Sequence, residues 1–342
     1  MQSKSNILLI YTGGTIGMVK DFETGVLKAF NFKLLENIPE LKLLDCNIES
    51  NSFETPIDSS NMEPSKWVKI ASIVEQNYTA FDGFVILHGS DTMSYSASAL
   101  SFMLQGLDKP VIFTGSQLPI GDLRTDAKEN LITAIQIASL KENNAPVIKE
   151  VCLYFEYKLY RGNRTTKISA EHFNAFTSPN YPALAESGVH LKFIKDVSLP
   201  QKNGSSLKVY KEMDDNVVII KIFPGINELV LSSILNIPSL KGVVLETYGS
   251  GNAPTENWFI DILENAISRG VHVVNVTQCS GGSVNMGHYE TSTRLKEIGV
   301  ISGADITTEA AISKLMYLLG QNTPVANFKK AFEAPICGEL SQ

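Results

Sequence analysis

The feature that most constrains this chain is an alternation of short apolar runs with longer mixed segments. Ile7–Tyr11, Gly83–Leu87, Pro110–Phe113, Val151–Phe155, Val217–Ile222, Gly242–Leu245 and Val271–Val276 are rich in Val and Ile and end in Gly, Thr, Ser or His. Runs of that length and composition read as buried strands. The stretches between them have helical spacing. Pro64–Tyr78 opens on a proline and carries Trp67, Ile70, Ala71 and Val74, and Ser94–Leu104, Ala127–Leu140, Trp258–Ser268 and Thr308–Leu319 are similar. Strand–helix alternation of this kind predicts an α/β fold with mainly parallel sheets.

The rhythm breaks once. Lys195–Asn216 is polar, holds Pro200, Gly204 and a serine pair, and reads as an interdomain connection. A chain of 342 residues suits two domains. The expected organisation is a larger N-terminal catalytic α/β domain over residues 1–195, a linker over 196–216 and a smaller C-terminal α/β domain over 217–342.

Composition narrows the function. Hydrophobic residues make up 44% and charged residues 19%, a globular profile with core enough to need no disulfide or metal staple. The net charge of −7 argues against a nucleic-acid or anionic-membrane partner. Cys46, Cys152, Cys279 and Cys337 lie far apart without CxxC spacing, which disfavours a zinc site and points to a reduced, cytoplasmic protein. The first apolar run, Ile7–Tyr11, is too short for a signal-peptide core or a membrane span.

Ligands of open α/β sheets bind beyond the carboxyl ends of the strands. Those ends carry Thr12–Gly17, His88–Thr92, Thr114–Gln117 and Tyr160–Lys167, while Asp58-Ser59-Ser60 precedes the Pro64 helix. Gly13 and Gly14 are adjacent, so the first loop is not a dinucleotide fingerprint, and no phosphate-binding P-loop, G-x-S-x-G elbow or H-E-x-x-H motif occurs. What recurs is a hydroxyl flanked by glycine. A serine or threonine nucleophile needs a neighbouring base. Here the base is His88 or a lysine with a depressed pKa, Lys167 being a candidate. The ordinary readings are a satisfied core histidine for His88 and a solvated basic loop for the segment with Arg161, Arg164 and Lys167. Together the strand ends point to a hydroxyl-nucleophile hydrolase.

Five stretches carry a family resemblance: Tyr11–Met18, His88–Met93, Tyr160–Lys167, Tyr248–Pro254 and Val284–Gly287. In this order they resemble bacterial cytoplasmic type I L-asparaginases of the asparaginase/glutaminase family, over nearly the whole chain. The resemblance implies hydrolysis of L-asparagine to L-aspartate and ammonia without metal or cofactor, in a larger N-terminal and a smaller C-terminal α/β domain. By motif, Thr15 resembles the nucleophile. Ser90, Asp91 and Lys167 resemble the second catalytic group, with Asp91 also holding the substrate ammonium. Asp58, Ser59 and Ser60 resemble the segment that binds the substrate backbone. Asn252 resembles a residue supplied by a neighbouring subunit, which implies a homodimer or a dimer of dimers. No nucleic acid or membrane partner is implied.

Three positions depart from the family pattern. Ser90 stands where the family usually has threonine. Gly25-Val26-Leu27 lacks the tyrosine that many members carry in the loop after the first motif, so Tyr289 is expected to assist Thr15 instead. Glu246 stands near the place where some members have an arginine for a regulatory asparagine site. Two rival readings are an amidotransferase subunit that takes ammonia from glutamine, and a non-catalytic amino-acid-binding protein.

Overall fold

The computed structural model describes residues 4–20, 27–29, 38–194, 197–199, 206–287 and 290–341. The chain divides into two compact units, Met1–Lys211 and Glu212–Gln342. In the first unit eight strands form one sheet. They are β1 (Ser5–Gly13), β2 (Cys46–Ile57), β3 (Gly83–Leu87), β4 (Val111–Thr114), β5 (Val151–Phe155), β6 (Lys158–Arg161), β7 (Ala185–Ser187) and β8 (Leu191–Phe193). Their order is β8-β7-β6-β5-β4-β3-β1-β2. The stretch from β2 to β5 is parallel, and β6 to β8 are added antiparallel.

The central strands are apolar on both sides because both faces are covered. Ile7, Leu9 and Tyr11 of β1 join Val85 and Leu87 of β3 in a core with Leu131, Ala134, Ile135 and Ala138 of helix α3 (Ala127–Ser139). The alternate residues Leu8, Ile10, Phe84 and Ile86 point the other way and are just as buried. Helix α2 (Met93–Met103) packs on β4 and β5, and α1 (Pro64–Asn77) packs on α2. Strand β2 is the exception. Its sequence CNIESNSFETPI exposes Asn47, Glu49, Ser50, Ser52, Glu54 and Thr55, and buries fully only Cys46 and Phe53. An edge strand needs no apolar run, which is why none announces it.

Part of the polar segment after Phe193 is also paired. Lys208–Val209 runs antiparallel to Leu104–Gln105 of the first unit. Residues 195–196 and 200–205 of that segment lie outside the described residues.

In the second unit four parallel strands follow the order β9 (Val217–Lys221), β10 (Gly242–Thr247), β11 (His272–Thr277), β12 (Ile301–Ser302). The helices are α4 (Glu228–Leu235), α5 (Asn257–Ser268), α6 (Glu290–Glu297), α7 (Thr308–Gly320) and α8 (Val325–Glu333). Val243, Leu245 and Val273 meet Leu231, Leu235, Phe259 and Leu263 in one core. Helix α7 packs on β9, β10 and β11, close enough at Gly242 that a Cβ there would lie 2.7 Å from Leu315. This α/β organisation, with a larger N-terminal part and a smaller C-terminal one, is what the alternation predicts. No helix among the described residues is long and apolar enough to cross a membrane.

One polar knot sits inside the second unit. Lys314 of α7 and Glu339 are both fully buried with 2.5 Å between Nζ and Oε1. Lys314 Nζ also donates to the carbonyls of Phe332 and Ala334, and Glu339 accepts from the Ile336 and Cys337 amides. Burial lowers the Lys314 pKa although Glu339 pulls it back up. Such pairs are costly to break from one side, because the remaining ion is stranded. We expect Glu339→Ala to lose about 3–5 kcal/mol of unfolding free energy. Lys314→Met combined with Glu339→Ala should cost clearly less than the sum of the two single losses. Denaturant titration of the four proteins measures both.

Candidate active site

The site begins with three places that have no room for a side chain. Gly13 (φ 136°) and Gly14 (φ 88°) end β1 in backbone conformations that favour glycine. A Cβ at Gly13 would collide with the Ile57 carbonyl. One at Gly14 would lie 2.5 Å from the Gly89 amide nitrogen, and one at Gly89 2.5 Å from Ser59 Oγ. The loops after β1 and after β3 are therefore in backbone contact, and the loop after β2 meets them through the Ser59 side chain. Two threonines tie them: Thr12 Oγ1 donates to Leu87 O at 2.9 Å, and Thr92 Oγ1 to Ser59 O at 2.8 Å. Thr15 opens a short 3-10 turn, Thr15–Gly17, directly after this junction and is half-buried. Asp58 caps the turn Ser59–Asn61, its Oδ1 accepting from both N and Oγ of Ser60 at 2.9 Å. Ser59 is buried, while Asp58 and Ser60 are exposed.

Lys167 reaches the same junction from the pair of short strands Thr166–Lys167 and Phe176–Thr177. Its Nζ lies 2.9 Å from Ser90 Oγ and 2.6 Å from Asp91 Oδ1. The lysine side chain is 16% exposed and the Asp91 side chain 66%, so the carboxylate faces solvent while the amine is held beneath it. Of the residues read from the sequence, Lys167, Ser90 and Asp91 are in direct contact. Asp58, Ser59, Ser60 and Thr15 stand on the loops that the glycines bring against them.

Gln117 was not singled out by the sequence, although its strand-end loop was. Its Nε2 donates to the His172 carbonyl at 3.1 Å, which turns Oε1 toward Ser90 Oγ, also at 3.1 Å. An ammonium only donates and an amide oxygen only accepts. Ser90 therefore accepts from Lys167 and donates to Gln117. Asp126 fixes the backbone here, accepting from the Gln117 amide at 2.9 Å and the Leu118 amide at 3.1 Å. Burial raises the Asp126 pKa even though these bonds pull it down.

The segment that carries Lys167 is not a solvated basic loop. Arg161 is 4% and Arg164 1% exposed, and both guanidinium groups lie against the Tyr181 ring. Arg161 Nε donates to Glu150 Oε2 at 2.7 Å. Thr165 Oγ1 donates to the Gly162 carbonyl at 2.9 Å and shares a 3.0 Å hydrogen bond with Ser94 Oγ, tying the turn to α2.

His88 is a satisfied core histidine. It is fully buried, with Nδ1 2.7 Å from the Gly89 carbonyl and Nε2 2.8 Å from Ser96 Oγ. Trp67 Nε1 donates to the same Ser96 oxygen at 2.9 Å. Both ring nitrogens are occupied, which leaves Lys167 as the basic group on Ser90.

In the second unit the motifs after β10 and β11 form their own cluster. Tyr248 and Asn252 exchange backbone hydrogen bonds of 2.8 and 2.9 Å around a turn in which Gly251 has φ 109°. Asn275 Nδ2 donates to Gly251 O, and the Asn285 amide to Ser250 O. Asn252 is half-buried in this turn. Glu246 accepts from Thr308 Oγ1 at 2.6 Å and lies 3.8 Å from Lys221. Tyr289 and Val26 lie outside the described residues.

The likeness to known proteins follows both halves of the chain. The family described as asparaginase, N-terminal, matches residues 6–199, and the glutaminase/asparaginase C-terminal domain matches residues 216–332. The chain is 44% identical over 344 residues to L-asparaginase 1 of Escherichia coli strain K12, covering 100% of this chain and 99% of that protein. The crystal structure of L-asparaginase I from Vibrio cholerae superposes with a TM-score of 0.90 at 41% identity, over 99% of this chain and 100% of the other. One subunit of the glutamyl-tRNA(Gln) amidotransferase of Methanobrevibacter smithii is 34% identical over 345 residues, covering 99% of this chain and 78% of that one.

The buried imidazole generates a pH dependence. Burial pushes the His88 pKa from 6.5 down to about 4. The folded state thus binds this proton less readily than the unfolded chain, and the contribution to stability is fully present above about pH 6.5. It is lost as pH falls toward 4, by at most about 3 kcal/mol. Denaturant titrations at pH 7, 5.5 and 4.5 should show a shallower loss for His88→Asn than for the unsubstituted protein.

Proposed function

The chain belongs to the asparaginase family, and on that footing we propose that it hydrolyses L-asparagine to L-aspartate and ammonia through an acyl-enzyme on Thr15. The observation that carries the reading is Lys167 donating to both Ser90 and Asp91 at a junction of three strand-end loops, one of which presents Thr15.

The chemistry needs a nucleophile, a proton carrier, an anion for the substrate ammonium and donors for the developing oxyanion. Thr15 Oγ adds to the amide carbon, and Ser90 Oγ, polarised by Lys167, takes the Thr15 proton as it hands its own to the amide nitrogen. The C–N bond breaks, ammonia leaves with a proton, and an ester to Thr15 remains. Water adds to that ester, L-aspartate leaves and the Thr15 hydroxyl is restored. Asp91 has one oxygen on Lys167 and an exposed carboxylate for the substrate ammonium. Asp58, Ser59 and Ser60 receive the substrate backbone. Amide N–H groups of the glycine-rich loops serve the oxyanion. Asn252 reaches the site of a neighbouring subunit in a homodimer or dimer of dimers, and Tyr289 assists Thr15. The negative charge and the four scattered, free cysteines support a cytoplasmic setting without nucleic-acid or membrane partners.

Ammonia release with asparagine and glutamine in parallel tests the reading, and release from neither overturns it. Thr15→Ala is expected to lower kcat about ten-thousandfold, as loss of a nucleophile does, with the fold intact by circular dichroism. Lys167→Met should fail comparably, whereas Ser90→Thr keeps the hydroxyl and should stay near the parent rate. Specific activity should also fall on dilution in step with dimer content measured by analytical ultracentrifugation. A fully active monomer would remove Asn252 from the neighbour's site.

A further inference from the structure

A hydrogen-bonded chain runs from α1 through α2 to the peptide that carries Ser90. Its directions are determined by what each group can do. The Trp67 indole N–H can only donate, so Ser96 Oγ accepts from it. The Gly89 carbonyl can only accept, so the proton of the neutral imidazole sits on Nδ1 and Nε2 accepts from the Ser96 hydroxyl. Trp67 is 5% exposed and His88 and Ser96 are fully buried, so no water competes for these bonds.

The end of the chain is tightly confined. The His88 amide donates to Thr114 O at 2.9 Å, and a Cβ at Gly115 would collide with the His88 carbonyl. Gly89 is wedged between Gly14 and Ser59. Glycine lacks a side chain to restrict its own peptide rotation. The His88 Nδ1–H on the Gly89 carbonyl supplies that restriction, and the next atoms along the chain are those of Ser90.

Resting on the amidohydrolase reading, we propose that His88 is a positioning residue: through the Gly89 carbonyl it fixes the Gly89–Ser90 peptide and so holds the Ser90 hydroxyl between Lys167 and Gln117. A misplacement of about 1 Å costs about a hundredfold in rate.

The two halves of the imidazole can be separated by substitution. Asparagine places an amide N–H where Nδ1 stands and keeps the donor to Gly89, losing the acceptor for Ser96. Glutamine places an oxygen where Nε2 stands and does the reverse. Each variant loses one buried hydrogen bond, so urea midpoints should fall to similar extents. Expected is a kcat drop of about a hundredfold for His88→Gln with KM within about threefold, and a drop below about tenfold for His88→Asn. Equal losses that track the urea midpoints, no loss in either variant, or a larger loss in the asparagine variant would each overturn the proposal. Amide hydrogen exchange over residues 86–92 reads the same contrast without turnover, faster in the glutamine variant than in the asparagine one. If the parent protein releases no ammonia, the amidohydrolase reading fails by itself, and the exchange contrast decides the role of His88.

Discussion

Everything in the first unit's site depends on close approach at three glycines: Gly13 and Gly14 meet backbone, and Gly89 meets the Ser59 side chain. A side chain at any of the three would strike a neighbouring loop. Steric exclusion of this sort brings loops from separate strands within reach of one small substrate. It also sets the demand on the rest of the fold, since loops held at van der Waals contact need rigid strands behind them. The parallel strands β1, β3 and β4, buried on both faces, provide that rigidity.

Polar groups buried around the junction are satisfied by partners of known direction. The half-exposed Lys167–Ser90–Gln117–His172 series and the buried Trp67–Ser96–His88–Gly89 series end on neighbouring residues, Ser90 and Gly89. In the buried series, low local dielectric makes each link strong and its loss costly. The arginines of the Lys167 segment follow the same economy of placement. They are buried on Glu150 and the Tyr181 ring, so the turn that presents Lys167 is anchored from within.

The central architecture was readable from the alternation of apolar runs and helix-spaced segments, because strands covered on both sides must be apolar throughout. Strand β2 and the antiparallel β6–β8 were not, since edge and short hairpin strands are half polar. In the site, the hydroxyls and Lys167 stood out as types placed at strand ends. Gln117 and Ser96 did not, because their meaning lies in partners 27 and 8 residues away in sequence. Arg161 and Arg164 had the look of a solvated loop, for charge in a sequence carries no sign of burial.

Strand β2 closes one side of the large sheet, and among the described residues no strand pairs with its outer hydrogen-bonding groups. Such a rim is a template on which a second molecule can extend the sheet. Glu49 and Glu54 stand exposed along it, and Pro56 near its end has no N–H to offer. Two copies approaching rim to rim would bring carboxylates of like charge into proximity. The polarity that hides this strand from a hydropathy reading thus also disfavours edge-to-edge pairing along it.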